Sequence, residues 1–132
     1  MEQIYIFTAA ASAARDHLRV SIQQPIDLDT ALQSFRAEKH AEIQEIHQTH
    51  GLYAWGAVPG QRNGPTWESM QADDWVLCVF DSRYRYVAQV AAKFDNEQLA
   101  RQLWGSDESG AAWQLMYFLT KPQAVAPQPL EA

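Results

Sequence analysis

Two strand-like runs joined by a short polar connection limit the fold of this chain more than any other stretch. In residues 75–80 the large apolar side chains Trp75, Leu77 and Val79 alternate with smaller neighbours, and residues 84–93 alternate again after the connection. Period-two alternation is typical of β-strands, and so short a connection is typical of a hairpin. We therefore expect an antiparallel pair of strands with Trp75 in the core.

Further strands and helices lie on both sides of this hairpin. Residues Ile4–Thr8 are apolar enough for a buried strand, and residues 113–119 form the last strand-like run, with Trp113 expected in the core. Helical spacing and capping residues predict three helices: about residues 10–20, Asp29 (as N-cap) to His50, and Asp95 to Trp104. Because helices are inserted among short strands without regular βαβ alternation, we predict an α+β fold, a small curved β-barrel with flanking helices.

The length of the chain indicates one domain. A chain of 132 residues can bury one hydrophobic core. Residues 122–132 contain Pro122, Pro127 and Pro129 and little apolar surface to bury. We therefore expect a domain over residues 1–121, followed by a Pro-rich tail or linker.

Charge and cysteine content narrow the setting of the protein. The formal charge of −6 argues against bulk electrostatic attraction to nucleic acid or to a membrane surface. The single cysteine, Cys78, lies within an apolar run, which is typical of a core residue in a reducing compartment. Residues 8–14 lack the basic start of a secretory signal, and no window is long and apolar enough for a membrane span. We expect a cytoplasmic domain with no membrane partner.

Catalytic and metal-binding patterns are weak in this sequence. Asp73 and Asp74 are neighbours in an extended segment, where their carboxylates should face opposite ways, so we interpret them as a polar turn before a strand. On a continuous helix His40, His47 and His50 would fall on one side, but no cysteine or carboxylate is placed to complete a zinc site. We expect neither a metal nor another cofactor.

Two tryptophans are placed differently from the others. Trp55 and Trp104 each stand at the end of a predicted element and each precede a glycine. An indole pair in such positions can form the two walls of a slot for a flat or methylated group. The alternative is that both indoles pack inward as plugs, which would leave a plain interaction module.

Several short motifs together resemble the EVE and YTH-like domains of the PUA superfamily, in particular the N-terminal specificity domains of Mcr-type modification-dependent restriction enzymes. The resemblance covers about residues 52–122, with residues 4–12 as a first strand. Its motifs lie at residues 55–63, 70–82, 86–90, 103–110 and 113–122. Asp73 departs from the pattern, since EVE proteins prefer glycine there.

The resemblance implies a PUA-like fold and a function. Such domains bind a modified base in an aromatic cage, so this chain is expected to flip a modified, methylated base of double-stranded DNA into a pocket. A nuclease or NTPase domain would belong to the same protein or complex, and this domain would not itself be an enzyme. Carried over by position, the base-binding residues are Trp55, Gly56, Trp104, Tyr53 and Asn63. Tyr53, Trp67 and Tyr84 are the candidates for a third wall.

A local basic rim would have to offset the acidic net charge. The expected contacts to the nucleic-acid backbone are Arg62, Arg83, Arg85, Lys93 and Arg101. The alternative is that Arg83 and Arg85 only make the hairpin soluble. Two further functions stay open: a reader of modified RNA, and a small hydrolase of the related ASCH group that would use Lys93 as its general base.

Overall fold

A computed structural model describes residues 3–9, 12–107 and 109–129. Its elements, in chain order, are strand β1 (Ile4–Thr8), helices α1 (Ser12–Ser21), α2 (Leu28–Gln33) and α3 (Ala37–His50), strand β2 (Tyr53–Ala57), helix α4 (Asn63–Ser69), strands β3 (Trp75–Phe80) and β4 (Arg83–Asp95), helix α5 (Glu97–Trp104), and strands β5 (Leu115–Leu119) and β6 (Gln123–Pro129).

The β3–β4 hairpin organises the sheet. Its two turn residues, Asp81 and Ser82, have φ of 55° and 57°, the left-handed conformation that a tight hairpin turn of this type requires at both positions. Strand β4 is 13 residues long and pairs with β3 and β6 in its first half and with β5 in its second half. A register shift between Val90 and Ala92 separates the two halves, and such irregularities bend a strand.

The sheet is mixed and curved. The strand order is β1-β3-β4-β5-β2, with β6 also paired to β4. The β1–β3 pair is parallel and the other pairs are antiparallel. Together with the flanking helices, this arrangement confirms the predicted α+β fold class.

The core lies on both faces of the sheet, and β5 shows why. Tyr117 and Leu119 belong to the apolar cluster beneath α1, whereas Met116 and Phe118 belong to the cluster beneath α3 and α5. All five residues of β5 are buried. A strand covered on both faces needs an unbroken apolar run instead of alternation, which is what this stretch of the sequence has.

The prediction of a buried first strand is wrong, and so is the predicted face of β3. Ile4 and Ile6 are 64% and 58% exposed, and Trp75 is 37% exposed. Ile4 pairs with Trp75 and Ile6 with Leu77, so these side chains share the outer face of the sheet. Strand β1 lies at one edge of the sheet, and only the face opposite Ile4 and Ile6 is covered. The inner face of β3 is formed by Val76 and Cys78, both buried.

Four predicted boundaries also change. The predicted long helix is two helices, α2 and α3, because the chain turns at residues 34–36, where the His40 ring bonds to the carbonyls of Leu32 and Phe35. The N-cap of α2 is Asp27 and not Asp29. The last helix is capped by Asn96, which accepts a hydrogen bond from the Leu99 amide, and not by Asp95, which ends β4. Trp113 precedes β5 and is half-buried.

The segment after residue 121 contains a strand. Residues Gln123–Pro129 form β6, which pairs antiparallel with the first half of β4. Whether the chain beyond it connects to another domain stays a prediction. No helix within the described residues is long and apolar enough to cross a bilayer.

Candidate functional site

A cavity of about 160 Å³ opens between β1, α4 and the paired strands β2 and β5. Its walls are largely aromatic and aliphatic. They are formed by Tyr5, Ile6, Phe7, Trp55, Gly56, Ala57, Asn63, Thr66, Trp67, Met70, Leu115 and Tyr117. An apolar cavity of about 150 Å³ in another protein is large enough to bind benzene. This cavity therefore has the size of one six-membered ring.

Trp55 is a fixed part of the cavity lining. Its indole is only 4% exposed and stacks on the ring of Phe7, with centroids 4.6 Å apart and an interplanar angle of 23°. Trp113 packs edge-on against it from the side, 5.2 Å between centroids. Because these neighbours hold the indole from two directions, Trp55 cannot turn freely and forms a rigid wall.

Trp67 lines the same cavity from α4 and is also anchored. Its indole nitrogen donates a hydrogen bond to the Met116 carbonyl, 2.9 Å away on β5. The Lys93 ammonium lies 4.8 Å from the centre of the ring and donates to the carbonyls of Trp67 and Glu68 at 2.9 and 2.7 Å. These carbonyls belong to the last turn of α4, where the Trp67 carbonyl also accepts from the Met70 amide at 3.2 Å. Lys93 thus fixes the end of the helix that carries Trp67.

The polar groups at the cavity are few. The Asn63 side chain donates from Nδ2 to the Val58 carbonyl at 2.8 Å, which orients the amide and leaves Oδ1 available as an acceptor. Tyr5 and Ser69 share a hydrogen bond between their hydroxyls at 2.9 Å, which links β1 to α4. A mostly apolar cavity with a small number of placed polar groups is typical of a ligand site.

The predicted slot between Trp55 and Trp104 is wrong. The two ring centroids are 6.3 Å apart at an interplanar angle of 60°, which is the geometry of direct aromatic contact and not of two plates around a third ring. Trp104 lies outside the lining of the cavity and stacks on His17, with centroids 5.4 Å apart. The second large indole at the cavity is Trp67, which the sequence offers only as a candidate for a third wall.

Gly56 lines the cavity, but the reason for a glycine here is packing. A Cβ at this position would lie 2.4 Å from the Trp113 carbonyl oxygen and 3.0 Å from the Trp104 ring. Any side chain would separate β2 from the segment before β5. Glycine thus allows the close approach that holds the three indoles Trp55, Trp104 and Trp113 together.

Tyr53 lies two residues before Trp55 on β2. Its side chain is 8% exposed and belongs to the apolar cluster beneath α1, outside the lining of the cavity. Tyr84, the other candidate wall, is half-buried on β4 near the hairpin turn and is likewise outside the lining.

The predicted basic residues do not form a common surface of free charges. Arg85 and Arg101 are in ion pairs with Asp81 and Glu97, and the Arg85 guanidinium also lies over the Phe80 ring. Arg83 is exposed near the hairpin turn, and Arg62 is exposed next to Asn63 at the start of α4. Only Arg62 and Lys93 directly flank residues of the cavity wall.

Catalytic or metal-binding clusters are not apparent in the part of the chain that the structure describes. No three His, Cys, Asp or Glu side chains come together there as a metal site. Burial raises the pKa of the Cys78 thiol to about 12, so it stays protonated. Asp74 is buried and accepts hydrogen bonds from the amides of Gln3 and Gln71, which lower the pKa of its carboxyl; it anchors a turn, as predicted.

Tyr5 and Phe7 are cavity residues that the sequence did not suggest. They alternate along β1 on the covered face of the strand, opposite the exposed Ile4 and Ile6. The period-two spacing of the two aromatics was the available signal. It was hidden because the isoleucines on the other face make the whole run look like a buried strand.

These features define a small α+β domain with a curved mixed sheet and an aromatic cavity of single-ring size. A solved structure with the same fold is the N-terminal domain of Thermococcus gammatolerans McrB bound to m5C DNA. The TM-score is 0.67, the sequence identity is 11%, and the match covers 94% of this chain and 76% of that chain. Neither a protein-family model nor a curated protein sequence matches this chain.

The match confirms the predicted resemblance to the N-terminal domains of Mcr-type proteins at the level of fold. At 11% identity the likeness is one of fold alone. The roles of individual residues therefore rest on the geometry of this chain.

Proposed function

We propose that this domain binds double-stranded DNA by taking a modified base out of the duplex and holding it in the cavity between Trp55 and Trp67. The observation that carries the proposal is an aromatic cavity of single-ring size on the fold of a domain solved with m5C DNA. In this role the domain gives sequence or modification specificity to a restriction system, and cleavage belongs to another domain or subunit.

The energies of stacking and flipping are of similar size. Stacking a base on an aromatic side chain contributes roughly 1–3 kcal/mol, and extruding a base costs a few kcal/mol. A cavity can favour the flipped state only if its walls need no ordering when the base arrives. Phe7 and Trp113 hold Trp55 in place, and the Met116 carbonyl and Lys93 hold Trp67.

The apolar lining of the cavity favours a methylated base. A single ring with one methyl group fits a space of about 160 Å³ that is lined mainly by aromatic and aliphatic side chains. One methyl group in an apolar pocket is worth about 1–3 kcal/mol, or about tenfold or more in affinity. We therefore propose 5-methylcytosine as the preferred base, which is also the modification in the DNA of the McrB structure.

We propose that Asn63 reads the edge of the base. Its Nδ2 is held by Val58, and its Oδ1 is free to accept a hydrogen bond from an exocyclic amine. Cytosine presents such an amine at N4, whereas thymine presents an acceptor at the same position. Asn63 would thus distinguish methylcytosine from thymine, which carries the same methyl group.

A binding role fits the chemistry of Lys93 better than a hydrolytic one. The ammonium is engaged by two carbonyl oxygens at the end of α4, at 2.9 and 2.7 Å. A general base must instead offer a lone pair to substrate. The hydrolase alternative would therefore need a different base.

The test is a binding panel of otherwise identical duplexes with one cytosine, 5-methylcytosine, 5-hydroxymethylcytosine or N6-methyladenine, and a matched RNA with 5-methylcytosine. We expect the tightest binding to duplex DNA with 5-methylcytosine, by about tenfold over the unmodified duplex. Equal affinity for all DNA duplexes would contradict the proposal. Tighter binding to the RNA would instead support a reader of modified RNA.

A further inference from the structure

A second concave surface lies directly beyond Trp67. It is an open groove of about 500 Å³ between the start of α3, the end of β4 and the start of α5. Its lining includes the cations Arg36, Lys39 and Lys93, the carboxylates Asp95 and Glu97, and the hydroxyl of Ser34. Trp67 lines both this groove and the aromatic cavity, so one side chain separates the two spaces.

The groove concentrates the uncompensated positive charge of an acidic protein. Of the ten lysine and arginine side chains, four are in ion pairs with carboxylates within the described residues. Three of the others, Arg36, Lys39 and Lys93, line this groove. Of its two carboxylates, Glu97 pairs with Arg101, whereas Asp95 accepts a hydrogen bond from the neutral Gln114 amide and keeps its negative charge, so the three cations outnumber the one unpaired carboxylate.

Hydrogen-bond donors in the groove also lack partners. The Arg36 side chain makes no cap to α3, a 14-residue helix; the Lys39 amide bonds to the Arg36 carbonyl at 2.9 Å, which leaves the amides of Ala37 and Glu38 as the donors that an anion could meet. Lys93 uses its ammonium toward two carbonyls and keeps a third donor. The buried Ser34 hydroxyl at the same surface has no hydrogen-bond partner among the described residues.

We infer that this groove binds the phosphodiester backbone of the DNA strand that supplies the flipped base. The inference rests on the proposed function and adds the path of the strand. A nucleotide held against Trp67 in the cavity is continuous with its flanking phosphates, and the cations that could meet those phosphates lie on the other side of the same indole. Arg36 and Lys39 then contact phosphate directly, and neither belongs to the basic residues that the sequence suggests.

The salt dependence of binding provides the test. Each phosphate contact contributes about 0.9 to the slope of log affinity against log salt concentration. We expect the double variant Arg36→Gln/Lys39→Gln to lower this slope by about 1 to 2 and to weaken binding to modified and unmodified duplex by the same factor. The preference for 5-methylcytosine should remain, because the cavity is unchanged.

A control with the same loss of charge is Arg19→Gln/Lys121→Gln, since neither residue lines the cavity or the groove. It should keep the slope of the parent. All four residues are exposed, so both variants are expected to fold, and circular dichroism checks this.

The outcomes separate the two claims. If the parent prefers 5-methylcytosine but the groove variant has the same slope as the control variant, the strand does not follow this groove and only the inference fails. If the parent shows no preference for any modified duplex, the proposed function fails, whatever the slope.

Discussion

Lys93 binds the end of the helix that carries Trp67: its ammonium lies 2.9 Å from the Trp67 carbonyl oxygen and 4.8 Å from the centre of the indole ring. This relationship makes Lys93 a positioning residue for one wall of the cavity. A residue that only contacted phosphate would affect modified and unmodified DNA equally.

The substitution Lys93→Met therefore distinguishes a positioning role of Lys93 from a phosphate contact. Methionine keeps an apolar chain beside the indole but removes the donors to α4. We expect the ratio of affinities for methylated and unmethylated duplex to fall severalfold, because the wall loses its fixed position. Lys93→Arg should restore part of the ratio. A uniform loss of affinity with an unchanged ratio would contradict the positioning role.

Trp67 and Trp104 make a matched pair of substitutions. Trp67 lines the cavity, whereas Trp104 packs on His17 away from it. We expect Trp67→Leu to weaken binding to the methylated duplex by about 1–3 kcal/mol and Trp104→Leu to change binding per folded molecule little. Titration calorimetry on both folded variants measures this. Loss of methylated-duplex binding in the Trp104 variant alone would instead favour the wall that the sequence suggests.

Asp73 occupies a backbone conformation that suits glycine. Its φ is 75°, in the left-handed region, which costs most L-residues about 1 kcal/mol and aspartate somewhat less. Its amide donates to the Val90 carbonyl, and a glycine would preserve that bond. We expect Asp73→Gly to raise the free energy of unfolding by about 0.5 kcal/mol and Asp73→Ala to lower it. Urea denaturation measures both, and the reverse order would refute the account of this turn.

His17 makes the stability of the fold depend on pH. Burial lowers the pKa of its ring below the ordinary value of 6.5, although Asp16 and a hydrogen bond to the Trp104 backbone oppose the shift. The unfolded chain therefore takes up a proton near pH 6.5 that the folded chain does not. The free energy of unfolding should therefore fall as the pH drops below that value.

His17→Gln should flatten this pH dependence between pH 7 and the folded-state pKa. His47 is exposed on α3, so His47→Gln serves as the control and should keep the slope of the parent. Denaturation at a series of pH values measures the slopes. The same slope in the parent and in His17→Gln would show that another group titrates.

Local sequence patterns predicted which segments form strands and helices better than they predicted which side chains are buried. The β3–β4 hairpin follows from alternation and a short turn, but alternation alone does not say which face is inner. Its position in an apolar strand predicts that Trp75 faces the core, yet the smaller Val76 and Cys78 do so instead. Strand β1 pairs with the edge of β3 and is itself covered on one face only, which depends on tertiary packing.

The site was predictable only in part, for a similar reason. One short motif contains Trp55, Gly56 and Asn63, because they lie close together in the sequence. All three line the cavity. Tyr5 reaches it from β1, far from Trp55 in the chain, and Trp104 turns away because α5 packs it on α1. A tryptophan before a glycine marks close packing as readily as it marks a binding wall.

Base flipping is the central claim, and fluorescence of a base analogue tests it most directly. In a duplex with 2-aminopurine beside a single 5-methylcytosine, extrusion of the methylated base unstacks the analogue and raises its emission. We expect saturating parent protein to raise the emission severalfold and Trp67→Leu to raise it much less at equal occupancy. Tight binding of the parent to the methylated duplex with no rise in emission would mean that the base stays in the helix and that the cavity is not its site.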